Sequence, residues 1–169
     1  MRCRADRILA GILLACVIAS ATAEERGREP VYLDADEAEM DGATGIGTYT
    51  GNVILTQGER EITGDVMIVH TREGRELDWV EVEGTPATWR ETPAGNGEVI
   101  RGEAPRMEYH ARGPERIRLL QGAKVEQGRN TFTGETIEYN LETDVVKALG
   151  KDDEERIRVT LFPHEDDSE

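Results

Sequence analysis

Few side chains in this chain of 169 residues are equipped for chemistry. His70 and His110 follow Val69 and Tyr109 at matching places in two similar phrases, so they are expected as neighbours on one outer face. Two imidazoles could begin a metal site, but ligation usually needs three or four convergent groups, and solvated surface histidines are the simpler reading. Asp36, Asp65, Glu103 and Glu135 each follow a Gly or Ala. A carboxylate ladder of this kind could hold calcium through oxygen. The Gly-Gly-x-Gly-x-Asp repeat of calcium β-rolls is missing, however, and acids that bond local backbone at a strand entry are commoner. Nucleophilic catalysis has little to draw on: beyond residue 23 there is no Cys and one Ser, Ser168. A glycoside-cleaving carboxylate pair needs a cleft, and 34 acidic residues in that stretch make chance pairs inevitable.

The elements that must position these groups announce themselves by repetition. "FTGETIEY" from Phe132 restates "ITGDVMIV" from Ile62, and two further copies are Leu33 to Met40 and "IRGEAPRMEY" from Ile100. Their common form is apolar, any, Gly or Ala, acid, a short spacer, then two apolar residues separated by one. The four starts lie 29, 38 and 32 residues apart, a spacing typical of arrays of supersecondary units. A second phrase interlocks with the first: Tyr49-Thr50-Gly51-Asn52-Val53, Val82 to Ala87, Leu120 to Val125, and a faded Ala148-Leu149-Gly150.

Within each phrase the period is two. Met67/Val69, Met107/Tyr109 and Ile137/Tyr139 share one face, and Val80/Val82 alternate with Glu81/Glu83. That is the pattern of half-buried strands, with the glycines marking bends or bulges where a strand passes from one sheet to the next. Turns are expected at Glu73-Gly74-Arg75, Pro93 to Gly97, Gly113-Pro114-Glu115 and Glu142-Thr143-Asp144. The fold class is therefore all-β: many short antiparallel strands built from repeated hairpins. Two sheets lined by small and flexible apolar residues could meet as a dry sandwich or gape as a trough. An unclosed stack also leaves backbone groups free on its first strand, near Pro30-Val31-Tyr32-Leu33, and on its last, Ile157 to Phe162.

Three arginines (Arg2, Arg4, Arg7), an apolar run from Ile8 to Ala19 and Ala21-Thr22-Ala23 read as a cleaved secretory signal over residues 1–23. A single domain is expected over 24–162 and an acidic disordered tail over 163–169. Removing the signal takes away both cysteines, three Arg and one Asp, which leaves 17 basic and 34 acidic residues and a net charge of −17. Such a surface repels nucleic acid and anionic membranes.

"GTYTGNVILTQGEREITGDVMIV", "GTPATW" and "LLQGAKVEQGRNTFTGETIEYN" together resemble the OstA-like family of periplasmic lipopolysaccharide-transport bridge proteins, over Pro30 to Phe162. The resemblance implies a slightly twisted, open β-jellyroll in the periplasm, not an enzyme and with no cofactor. It implies lipopolysaccharide as cargo, shielded in an apolar trough lined by Val31, Val53, Ile62, Val69, Trp89, Met107, Tyr109, Phe132 and Tyr139. It implies head-to-tail filaments with other copies of the chain, and strand addition to an inner-membrane lipopolysaccharide export complex and an outer-membrane translocon. A charged residue at Tyr109 or Phe132 should then abolish lipid capture and leave the fold intact. The alternative is a structural or carbohydrate-binding periplasmic β-repeat protein with a closed interior.

Overall fold

The computed structural model describes residues 29–72, 76–93, 97–151 and 156–163. The expected signal over 1–23 and the turn at 73–75 lie outside them, as do most of the acidic tail and residues 94–96 of the turn from Pro93. Ten strands follow in order: β1 (Val31–Asp34), β2 (Glu37–Asp41), β3 (Ile46–Gln57), β4 (Arg60–Thr71), β5 (Leu77–Glu91), β6 (Ile100–His110), β7 (Arg116–Gln127), β8 (Asn130–Asn140), β9 (Val145–Leu149) and β10 (Arg158–Thr160). All pairings are antiparallel, in the order β3-β4-β5-β6-β7-β8. The first of these, β3, also pairs with both β1 and β2, and the last, β8, with both β9 and β10. The all-β antiparallel architecture expected from the repeats is present, and the sheet is unclosed, as the family resemblance implies.

The central strands are longer than the phrases suggest. Each runs for 11 to 15 residues and folds over at a crease. The register shifts between Thr50 and Val53, Thr63 and Val66, Glu83 and Ala87, Glu103 and Arg106, and Leu120 and Ala123. These shifts fall at the glycines and acids of the repeated phrases, because a bulge bends its strand and raises the local twist. At two of them a non-glycine residue, Asn52 or Gln121, takes a positive φ of 48° or 70°. The crease divides the sheet into two facing leaves. Leaf one carries 37–41, 46–50, 66–71, 77–83, 106–110, 116–120, 136–140 and 145–149. Leaf two carries 31–34, 53–57, 60–63, 87–91, 100–104, 123–127, 130–134 and 158–160. One copy of each phrase makes one hairpin, and in two of the hairpins, β3–β4 and β7–β8, the tight turn follows Gln57 and Gln127. Gly58 and Gly128 both sit at φ +58°, as the first central residue of a two-residue type II′ turn requires.

Register stacks the apolar residues into rows across the strands. In leaf one, Tyr49, Met67, Val82, Met107, Leu119 and Ile137 are successive partners. Beside them run Val69, Val80, Tyr109, Ile117 and Tyr139. In leaf two the row is Leu33, Leu55, Ile62, Trp89, Gly102, Val125, Phe132 and Val159. The two leaves bury the middle of these rows in one core, where apolar area removed from water is worth roughly 25 cal/mol per Å².

Gly102 makes room for the largest of these side chains. A Cβ there would stand 2.9 Å from Trp89 Cε3 and 3.0 Å from Leu119 Cδ1. Gly102→Val is expected to cost about 1–3 kcal/mol by overpacking, seen as a lowered thermal midpoint. An unchanged midpoint would show that the leaves part easily here.

Candidate functional site

The interior between the leaves is not uniform. Over its centre the two leaves are in contact. Val53, Ile62, Trp89, Met107 and Tyr139 are at most 2% exposed, and the Trp89 ring tilts against Tyr139 of the opposite leaf at 5.3 Å between centroids. Towards the N-terminal strands the leaves separate around a cavity of about 560 Å³. Its walls include Val31, Leu33, Tyr49, Val69, Leu77, Tyr109 and Glu115, and the more exposed Glu29, Glu76 and Arg112 stand at its rim. Arg112 pairs with Glu76 across that rim.

All nine residues proposed from sequence as trough lining lie on this interior face, because alternation along each strand leaves them no other. The structure divides them by position. Val31, Val69 and Tyr109 reach the cavity. Val53, Ile62, Trp89, Met107 and Tyr139 belong to the closed centre. Phe132 is half-buried towards the C-terminal end, where its row continues to Val159.

Tyr109 is not simply apolar wall. Its hydroxyl accepts a hydrogen bond from Arg60 Nη1 and donates to Glu115 Oε1 at 2.6 Å, with Gln57 Oε1 3.1 Å away. Arg60 also pairs with Glu91 Oε2 at 2.7 Å and Glu115 Oε1 at 2.6 Å, and its guanidinium lies 4.6 Å from the centre of the Tyr109 ring. Arg60 and Glu91 are each only 6% exposed. Burial opposes the guanidinium charge, but Tyr109, Glu91 and Glu115 outweigh it and hold the group well above its ordinary pKa. Burial also pushes the Tyr109 phenol far up, and burial followed by the hydrogen bond to Asp144 does the same for Tyr139. A charged residue at Tyr109 would therefore disrupt the fold itself, contrary to the sequence expectation. Phe132, outside this cluster, remains the position where lining can be altered separately.

Sequence reasoning missed this cluster, although it carried a signal. Arg60 lies two residues before Ile62 and Glu91 two after Trp89, so alternation turns both charges inward.

At the two ends the interior rows run out into solvent. Met40, the partner of Gly47 beside Val69, is 58% exposed, and Val159 is 44% exposed. Ile157, Leu161 and Phe162 are likewise exposed beside Val159. Among the described residues, the outer edges of β1, β2, β9 and β10 pair with no further strand.

On the outer face, His70 and His110 are separated by Trp79, stacked at centroid distances of 4.0 and 5.9 Å. Glu81 and Glu108 stand 3.8 and 3.5 Å from their Nε2 atoms. Among the described residues no three His, Cys, Asp or Glu converge for a metal ion. Three of the repeated acids engage neighbouring strands rather than local backbone. Asp36 accepts from Asn52 and Asp65 from Thr85, while Glu103 faces Lys124 at 3.7 Å.

Comparison with known proteins agrees with this geometry. Residues 32–145 match the family described as LptA/(LptD N-terminal domain) LPS transport protein. The lipopolysaccharide export system protein LptH of Pseudomonas aeruginosa is 32% identical over 120 residues, 71% of this chain and 68% of that one. The lipopolysaccharide export system protein LptA of Escherichia coli K12 is 29% identical over 158 residues, 92% of this chain and 83% of that one. The crystal structure of Pseudomonas LptH, described as a periplasmic component of the lipopolysaccharide transport device, superposes with a TM-score of 0.74 at 28% identity. It covers 82% of this chain and 99% of that one.

Proposed function

This chain belongs to the LptA/(LptD N-terminal domain) family of LPS transport proteins, and from that premise we propose that it carries lipopolysaccharide across the periplasm with the acyl chains against its interior face. The observation that supports this most is the continuity of that face. Rows of apolar side chains cross eight strands, widen into a cavity at one end, and finish in exposed apolar residues at both. Each acyl CH₂ removed from water is worth about 0.8 kcal/mol, so a few methylenes suffice for capture. A face open at its ends can pass them on.

In this reading residues 1–23 are the export signal and the open edges receive other copies of the chain, head to tail. The same edges would meet the inner-membrane export complex and the outer-membrane translocon by strand addition. The acidic surface leaves the phosphates of the lipid head in water.

Purified protein is expected to co-elute with lipopolysaccharide, and its apparent size to rise with concentration. Phe132→Asp should weaken lipid capture about tenfold, since an ionised carboxylate is poorly accommodated in an apolar wall, while the circular dichroism spectrum stays that of the native sheet. A wild-type protein that retained no lipopolysaccharide would exclude the reading in favour of a structural or carbohydrate-binding role.

A further inference from the structure

The polar cluster at the inner end of the cavity does something that lipid carriage alone does not require. Gln57, Arg60 and Glu91 stand at strand ends of leaf two, and Tyr109 and Glu115 at the facing ends of leaf one. Gln57, Tyr109 and Glu115 form the inner wall of the cavity, and beyond them the interior is closed. An apolar chain seated in the cavity therefore meets hydrogen-bonded polar groups before it reaches the rest of the apolar face.

A buried ion pair is weak evidence for stability, because desolvation offsets its attraction and apolar residues of the same volume often serve as well. Its bonds are directional, however, and water can replace them when the leaves part. An entering acyl chain, by contrast, cannot replace them, whereas it would displace an apolar contact like for like.

We propose that Arg60, Glu91, Tyr109 and Glu115 form a latch at the inner end of the cavity that sets the length of apolar chain the interior admits. Short chains stop in the cavity, and longer ones enter only when the latch opens. The latch presupposes the lipid-carrying reading, and the test separates the two.

Uptake of dansyl-labelled hexanoic and hexadecanoic acids would be followed by stopped-flow fluorescence. The proteins are wild type, Arg60→Met with Glu91→Leu, and Gln57→Leu with Glu115→Gln. The last pair alters the less buried lip and decides alone if the first does not fold. Long-probe uptake is expected to quicken about tenfold in the variants, the factor associated with losing one or two hydrogen bonds from the closed state, with short-probe uptake unchanged. Equal long-probe rates in variants and wild type, with binding retained, would overturn the latch and leave lipid carriage standing. Equal acceleration of both probes would overturn it too, as a loosened fold admits everything. Failure of every protein to bind either probe would remove the latch and the lipid reading together.

Discussion

Glu91→Ala is expected to lower the free energy of unfolding by about 3–5 kcal/mol, whereas Arg60→Met combined with Glu91→Leu should cost no more than about 1 kcal/mol. The difference follows from what each change leaves behind. Glu91 Oε2 holds Arg60 Nε at 2.7 Å where both side chains are nearly dry. Alanine removes the carboxylate and strands a guanidinium whose charge burial already opposes. Glu115 remains as a partner, but its side chain is 23% exposed and engages Nη1 rather than Nε, so it cannot answer for the lost bonds. The double replacement removes both charges and fills the space with apolar atoms, while Tyr109 keeps Glu115 as its acceptor. A domain of this size is stable by about 5–15 kcal/mol, so the single change consumes a large share of that margin. Urea midpoints of the two variants decide the matter. A single variant as stable as the double would mean that the cluster is wet and that the leaves are not joined through it.

How far the sequence reaches depends on which physical rule each residue obeys. Alternation is rigid, since side chains of a strand can point only two ways. Val80/Val82 and Met107/Tyr109 therefore declare their face at once, and every proposed lining residue lands on the interior. The repeated Gly-acid phrase locates the crease for a similar reason, because each strand must bend at the same height for two leaves to face each other. The strand ends were less legible. Arg60 and Glu91 obey the alternation, yet in so acidic a chain an inward charge near a turn looks like solvated surface until Tyr109 and Glu115 are brought opposite. The stack of His70, Trp79 and His110 is hidden likewise: Trp79 reaches its neighbours through register, which single phrases do not specify. Whether the leaves touch or gape depends on side-chain volumes summed across the interior. That sum closes around Trp89, with Gly102 beneath it, and fails beside Val31 and Leu33.

The ends of the interior lead to the second large expected effect. Met40→Lys and Val159→Lys should each prevent filament growth, and an equal mixture of the two variants should form dimers and nothing longer. Both side chains continue interior rows into solvent, and an inward charge on an edge strand is a recognised barrier to strand addition. Neither change touches the packed centre, so stability should shift by less than about 0.5 kcal/mol. The mixture discriminates because a head-to-tail contact joins two different surfaces. Each variant retains one sound end, the C-terminal strands for Met40→Lys and the N-terminal strands for Val159→Lys. One contact can therefore form between unlike chains, and it leaves two damaged ends outward, which halts growth. A self-complementary contact would behave otherwise: whichever end it used, one variant alone would still dimerise and the other would gain nothing from mixing. Light scattering of each variant and of the mixture, at matched concentration, reads the answer directly. Dimers that appear only on mixing require the two open ends of the sheet to be each other's partners.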